Sequence, residues 1–451
     1  MNISCTLKNP TGTRDLKSND VKIREYIFDI AKKCFDKRCA IQIDTPIFEL
    51  YSLVQNLYGE EFNKLVYKLE DGGSQELILR YDMTVPLARY IAMNGLKFLR
   101  RYQIGKVYRR DDPQIEKGRF REFYQCDFDI VGDDQDTNIF DIEILDTLIE
   151  ILEKLLGNNF TVKINDRKIL YNLLRYCKVE DNYINTVCST LDKLDKKSWS
   201  ELKLELENKN INNDIIKNLE NIINEINNLN NIKNNSDQIN AVLTFLNNIN
   251  IDVKSIKNIF DILTQINLIK YMYFDLSLAR GLDYYTGMIF EVKYNNTDIM
   301  ESTICSGGRY DKIIGKLANQ GDVPAVGLSL GVERIAAILE KTINFTPNKP
   351  QIYIASIGNN MITEKIKLCS KFRKMGFICI MSHLSNPKMR PQFDEVFNMD
   401  IPYMVIIGEN EIKENKLTIK DVKLKNQYIL DKQIAIDFLV ERIENKVHVS
   451  Q

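Results

Sequence analysis

The chain has 451 residues, with 61 Lys or Arg against 62 Asp or Glu and a formal net charge of −1. That length exceeds what one hydrophobic core usually holds and points to two or three domains, while the charge balance leaves no bulk basic field, so any nucleic-acid contact must come from local patches. Two histidines, His383 and His448, argue against a Ser-His-Asp triad or a multi-histidine metal centre, and nine scattered cysteines without a C-x-x-C pair argue against a zinc ribbon and for a reducing compartment.

The opening MNISCTLKNP has neither the apolar run of a secretory signal nor the arginine-rich pattern of a transit peptide. No apolar run approaches the ~20 residues that span a bilayer. A cytoplasmic protein without membrane contact is expected. Residues 18 to 38 read as a helix capped by Ser18 or Asn19, with Val21, Ile27, Ile30 and Ala31 at helical spacing. A strand, AIQIDTPIF, follows, and Pro46 assigns it to an edge or an interface.

From 75 to 132 strand character dominates. LILRYDMTVPLAR, 77 to 89, reads as a strand with Arg80, Asp82 and Thr84 on one face. KVYRRDDPQIEKG, 106 to 118, is a turn-prone loop carrying Arg109, Arg110 and Lys117, and the planar, always ionised arginine fork suits phosphate. In GRFREFYQCDFDIVG, 118 to 132, alternation places Arg119, Arg121, Phe123, Gln125, Asp127 and Asp129 on one face. Phe120, Glu122, Tyr124, Cys126, Phe128 and Ile130 form a mostly apolar other face. Two strands with charged faces suggest an antiparallel sheet over an open cleft.

Residues 139 to 156 have helical period, and FTVKIND returns to strand. The asparagine-crowded stretch from 208 to 235 keeps Ile211, Ile215, Leu219, Ile222, Ile223, Ile226 and Leu229 on one face, which favours an amphipathic helix over a disordered tract. Residues 168 to 265 therefore read as a helical insertion in a larger domain. LARGLDYYTG, 278 to 287, gathers an arginine, an acid and two phenols. CSGGRYDKIIGK, 305 to 316, has a glycine pair but no following G-K-[ST], so it is not a P-loop. VPAVGLSLGVERIAAIL leads into a helix over 332 to 342 carrying Arg334. After a linker, TPNKP, residues 351 onward alternate strand and helix as a separate α/β domain.

These stretches resemble the class II aminoacyl-tRNA synthetases, and among them the histidyl-tRNA synthetase family. IQIDTPIFEL resembles motif 1, the dimer motif; YRRDDPQIEKGRFREFYQCDFDI matches motif 2; VGLSLGVERIAAIL matches motif 3. ARGLDYYTG and SGGRYD resemble the family's two histidine-recognition peptides. The resemblance runs over nearly the whole chain except the helical insertion. It implies an α+β fold: an antiparallel six-stranded catalytic sheet with flanking helices, a helical insertion and a C-terminal α/β anticodon-binding domain. The expected divisions are 1–167 and 266–345 for the catalytic domain, 168–265 for the insertion and 350–451 for the anticodon domain.

The resemblance also implies an activity. L-histidine and ATP give histidyl-adenylate and pyrophosphate, and the acyl group then passes to the 3′ end of the histidine tRNA, in a homodimer. Mg2+ is expected to be bound mainly through the ATP phosphates, with no protein metal site. Arg109 and Arg280 are the expected catalytic pair on the α-phosphate, with Arg109 also on the substrate carboxylate. Asp111 would accept from the adenine amino group, Phe123 and Arg334 would flank the ring, and Arg121 would reach the phosphate tail. Asp82, Thr84 and Gln125 would receive the substrate ammonium; Asp129, Tyr285 and Tyr310 would surround the imidazole, whose two nitrogens suit a carboxylate and a phenol. A regulatory relative without activity would usually lack the anticodon domain and the equivalent of Arg280, and both are present in the sequence. Pro391 stands where relatives commonly carry a helical lysine, so no single anticodon contact is assigned.

Overall fold

Six strands with alternating polar and apolar residues share one sheet. Their order is Leu99–Tyr108, Glu122–Val131, Ala325–Gly331, Cys305–Arg309, Met288–Tyr294 and Phe160–Asp166, every neighbouring pair antiparallel. Two short parallel strands, Ile41–Gln42 and Met272–Phe274, flank them. These positions come from a computed structural model, which describes residues 7–447 apart from 56, 58–61, 70–72, 74, 134–136, 195–196, 280–283, 344–348 and 385–386. Most of the expected linker and His448 lie outside the described residues.

Helices Ser18–Asp36, Ile139–Leu156 and Val332–Thr342 cover one face of the sheet. Cys126, Phe128 and Ile130 point into that layer, where Phe128 stacks on Phe35 at 5.1 Å between ring centroids. Each such side chain contributes about 1.5–3 kcal/mol on burial. The alternate residues of the same strand, Phe123 to Asp129, are thereby turned to the opposite face.

The asparagine-rich segment is helical, over Asn213–Leu229, with Ile216, Leu219, Ile222 and Ile226 buried. Helices Arg167–Tyr176, Ile184–Leu191, Trp199–Asn208, Asn235–Asn248 and Lys254–Gln265 accompany it and share its apolar core with the sheet. Asparagine does local work here. Asn212 and Asn234 cap helices by accepting from Asp214 N at 2.8 Å and Asp237 N at 3.2 Å. Asn210, Asn250 and Asn267 take left-handed φ of 60–62° between helices, a conformation that asparagine tolerates better than most residues.

Two expectations are corrected. Residues 77 to 89 are not one strand: Leu77–Leu79 pairs with Phe48–Leu50 and Lys68–Leu69 in a small separate sheet, and Thr84–Asn94 is helical. Asp82 Oδ1 accepts from Thr84 N at 3.1 Å and Val85 N at 3.3 Å, which starts that helix. Pro86 sits in its first turn, where a missing N–H costs nothing. The first helix is preceded by Lys17 rather than capped by Ser18 or Asn19, and Asp20 accepts from Lys17 N at 2.9 Å.

Contacts divide the chain into two units, 1–345 and 346–451. In the second, Cys379–Met381, Ile352–Ser356 and Tyr403–Ile407 are parallel and joined by helices Ile362–Lys374 and Met389–Asn398. An antiparallel hairpin, Lys416–Asp421 with Asn426–Asp431, completes the sheet before helix Lys432–Val447. The sequence pattern does not reveal that hairpin, because its second strand is largely exposed and lysine and asparagine dilute its alternation.

Candidate active site

The sheet face opposite the helices carries a cleft of about 330 Å³. Residues paired across an antiparallel ladder point to the same side, so the register shows which residues share this face; of the central ones, Ser329, Ser306 and Glu291 line the cleft. One rung crosses six strands: Gln103, Asp127, Ser329, Ser306, Glu291 and Lys163. The rung toward the Asp129 end runs from Arg101 through Asp129 and Gly327 to Gly308. A Cβ on Gly327 would stand 2.0 Å from Asp129 Oδ1, and one on Gly308 would stand 2.9 Å from the Tyr285 ring. These glycines leave room for a carboxylate and a phenol on the sheet surface.

Arg109, Asp111, Phe123, Gln125 and Arg334 all line the cleft. Arg109 donates from Nε to Tyr81 O at 3.1 Å, and its guanidinium lies 4.2 Å from the Tyr81 ring centroid and 5.3 Å from that of Phe123. Asp111 pairs with Arg119 at 2.9 Å. Arg334 donates from Nη1 to Thr303 O. Arg121 does not line the cleft. Its Nε donates to Asp111 O at 3.1 Å and its stem packs on Gly12.

An N-terminal segment, TGTRDL at 11 to 16, secures the far wall. Arg14 lies 4.4 Å from the Phe120 ring centroid and pairs with Glu333 at 3.0 Å, and the buried Arg24 donates to the same carboxylate. Glu333 thus joins the motif 3 helix to two N-terminal arginines.

Farther along the Phe123–Asp129 face the expected imidazole set is drawn together, with Asp129 and Tyr310 buried and Tyr285 half-buried. Tyr310 Oη donates to Asp129 Oδ1. Arg101, fully buried, approaches Asp129 Oδ2 at 2.8 Å as an ion contact and donates to Met83 O at 3.0 Å. Burial raises the Asp129 carboxyl, while Arg101 and the Tyr310 hydrogen bond lower it. Burial likewise pushes up the Tyr284, Tyr285 and Tyr310 phenols, keeping them neutral donors. Tyr284 packs edge-on against Tyr285 at 4.7 Å and hydrogen-bonds to Thr84. Asp82 interacts electrostatically with Asp129 and both tyrosines. Arg280 lies outside the described residues.

Several residues of the site were not singled out from sequence. Arg101 sits in an ordinary-looking strand, LRRYQIGKVY. Glu291 lines the cleft and accepts from Thr303 Oγ1 at 2.7 Å; the only sequence signal was one acid in the apolar run MIFEV. Ser329, on the central rung, was not named either, and its ladder partner Asp127 was placed on the polar face without a role.

A family model described as "Histidyl-tRNA synthetase" matches residues 12–335. The chain belongs to the histidyl-tRNA synthetase family. A second model, "Anticodon binding domain", matches residues 351–446 of this synthetase. Curated relatives include the cytoplasmic histidine–tRNA ligase of Dictyostelium discoideum, 37% identical and covering 94% of this chain and 89% of that one. The mitochondrial histidine–tRNA ligase of Bos taurus is 36% identical over 97% of this chain and 88% of its own. Among solved structures, the histidyl-tRNA synthetase of Nostoc sp. PCC 7120 aligns with a TM-score of 0.74 at 26% identity, covering 97% of this chain and all of that one. The six-stranded antiparallel sheet is thus the class II synthetase sheet.

Proposed function

We propose that the chain is a histidine–tRNA ligase that activates L-histidine with ATP and transfers the histidyl group to the 3′ end of histidine tRNA. One observation carries the reading: on a single strand, Phe123 and Gln125 line an arginine-bearing cleft while Asp129, held by Tyr310, lies farther along the same face. A nucleotide and an imidazole substrate are thereby set end to end.

In the first step a carboxylate oxygen of histidine attacks the α-phosphorus in line, and the bond to pyrophosphate breaks. Such a reaction needs positioning and charge stabilisation more than a covalent protein group. Arg109 holds the α-phosphate and the substrate carboxylate, and Arg280 completes that role from LARGLDYYTG. Phe123 and Arg334 flank adenine, and Asp111 accepts from its amino group once ATP competes with Arg119. Arg121 braces the Asp111 backbone and can reach the phosphate tail only by leaving that contact. Asp82, Thr84 and Gln125 receive the ammonium; Asp129, Tyr285 and Tyr310 hold the imidazole. In the second step a terminal ribose hydroxyl attacks the acyl carbon and AMP leaves.

Mg2+ fits as an ion carried on the ATP phosphates. Among the described residues no group of three potential ligands converges, and Glu291 is a carboxylate on the cleft wall. One carboxylate plus phosphate oxygens and water is an ordinary magnesium shell, and the ion would spread charge on the leaving pyrophosphate.

The second unit is taken to read the anticodon arm, and residues 168–265 to form an inserted helical domain between catalytic segments 1–167 and 266–345. A homodimer through the motif 1 region is supported by Ile41, Ile47 and Phe48, each 47–52% exposed on edge segments. Relatives are named both cytoplasmic and mitochondrial, and among the described residues no helix is long and apolar enough to cross a membrane.

The catalytic assignment is tested at Arg280. Arg280→Ala is expected to leave histidine binding within about threefold while slowing single-turnover adenylate formation by roughly a hundredfold or more, the scale of losing one charge-stabilising donor. Unchanged single-turnover formation would remove Arg280 from the mechanism.

A further inference from the structure

The scheme above gives Gln125 the substrate ammonium but assigns no task to Asp127 and Ser329, which stand opposite each other on the central rung. Gln125 donates from Nε2 to Ser329 Oγ at 2.9 Å, and its Oε1 is buried without a hydrogen-bond partner among the described residues. Ser329 stands directly across the antiparallel ladder from Asp127, which is 4% exposed, so the two side chains leave the sheet side by side on one face. An ionised carboxylate only accepts, and a serine hydroxyl has one proton. Once that proton goes to Asp127, the Ser329 oxygen can take a hydrogen bond from Gln125 but give none. Turning the Gln125 amide over would set its carbonyl against an oxygen with no proton to offer. The orientation of an amide, usually a matter of assignment, is here dictated by its neighbours.

We propose that Asp127 is a positioning residue for amino-acid recognition: through Ser329 it locks the Gln125 amide so that Oε1, an acceptor, is the atom offered to the substrate ammonium. The inference rests on the reading of the cleft as a histidine-activating site. It explains why a second acid sits beside Asp129 when the imidazole needs only one. The carboxylate itself need not touch the substrate. The ammonium, by its charge, also favours the ionised form of Asp127 and so tightens the lock as it binds. Arg101 on the neighbouring strand acts in the same sense, while Asp129 and Asp82 oppose it.

The test uses two partial substrates as competitive inhibitors of histidine-dependent ATP–pyrophosphate exchange at pH 8. Histamine keeps the imidazole and the ammonium. 3-(Imidazol-4-yl)propanoate keeps the imidazole and the carboxylate. Asp127→Asn supplies a donor to Ser329 and frees its proton; Ser329→Ala removes the relay. In both variants the histamine inhibition constant is expected to rise about tenfold, the low end for a hydrogen bond to a charged group. That of the propanoate should change by less than about twofold. A parallel loss for both ligands would mean mere loosening of the pocket, and no change for histamine would mean no lock; either result overturns the inference. A wild-type enzyme without histidine-dependent exchange would overturn the functional reading and the inference with it, whereas normal exchange with an unmoved histamine constant sinks the inference alone.

Discussion

Asp127 shows at the scale of one residue how the site trades stability for chemistry. Burial, with Asp129 and Asp82, pushes its carboxyl up, Arg101 and the Ser329 hydroxyl pull it down, and the balance stands at about 7. Arg80 also interacts with it electrostatically. Its pKa is raised on folding, so the stability it contributes is full below the unfolded carboxyl range near 4 and is lost as pH rises through about 7. Asp127→Asn is therefore expected to melt higher than wild type at pH 8, by an amount on the order of a few kcal/mol, with the gap closing toward pH 5. Thermal denaturation at both values checks this, and a pH-independent gap would contradict a titrating Asp127. Strand alternation placed Asp127 on the correct face but gave it no task. Its task depends on register with Ser329, about 200 residues away, and no local pattern encodes that pairing. The glycines of SGGRYD and VGLSLG were likewise visible in the sequence, while what they approach, Tyr285 and Asp129, came only from the assembled sheet.

At the scale of elements, motif 3 is tied to the N-terminus through Glu333. Arg24, with a side chain 2% exposed, and Arg14 both give it hydrogen bonds. Glu333→Gln leaves a buried guanidinium facing a neutral amide, and breaking a buried pair in this way costs about 3–5 kcal/mol. A lower urea midpoint with an unchanged slope is the expected result; an unchanged midpoint would mean that solvent already shields the pair. Long periodic elements were legible in sequence: 139 to 156 and 332 to 342 are the helices expected. The 77 to 89 segment misled because Asp82 caps a helix, so side-chain chemistry at one residue ended a pattern that alternation would have continued. The hairpin at 416–431 was missed for the opposite reason: an exposed outer strand needs no apolar face.

For the whole molecule, each unit closes its own core: one of sheet and helices around Phe128, Leu148 and Ile335, the other around Ile354, Phe372 and Ile419. The family motifs made the first unit's sheet legible in the sequence, since their spacing fixes which strands carry the arginines. The helical segment was legible from period alone, and its asparagines find their use as caps and left-handed joints. The central claim is that the cleft selects histidine for adenylation. ATP–pyrophosphate exchange measured with each of the twenty amino acids in turn tests it most directly: exchange with histidine alone, at least a hundredfold above any other, is the predicted result, and ATP binding without histidine-dependent exchange would contradict it.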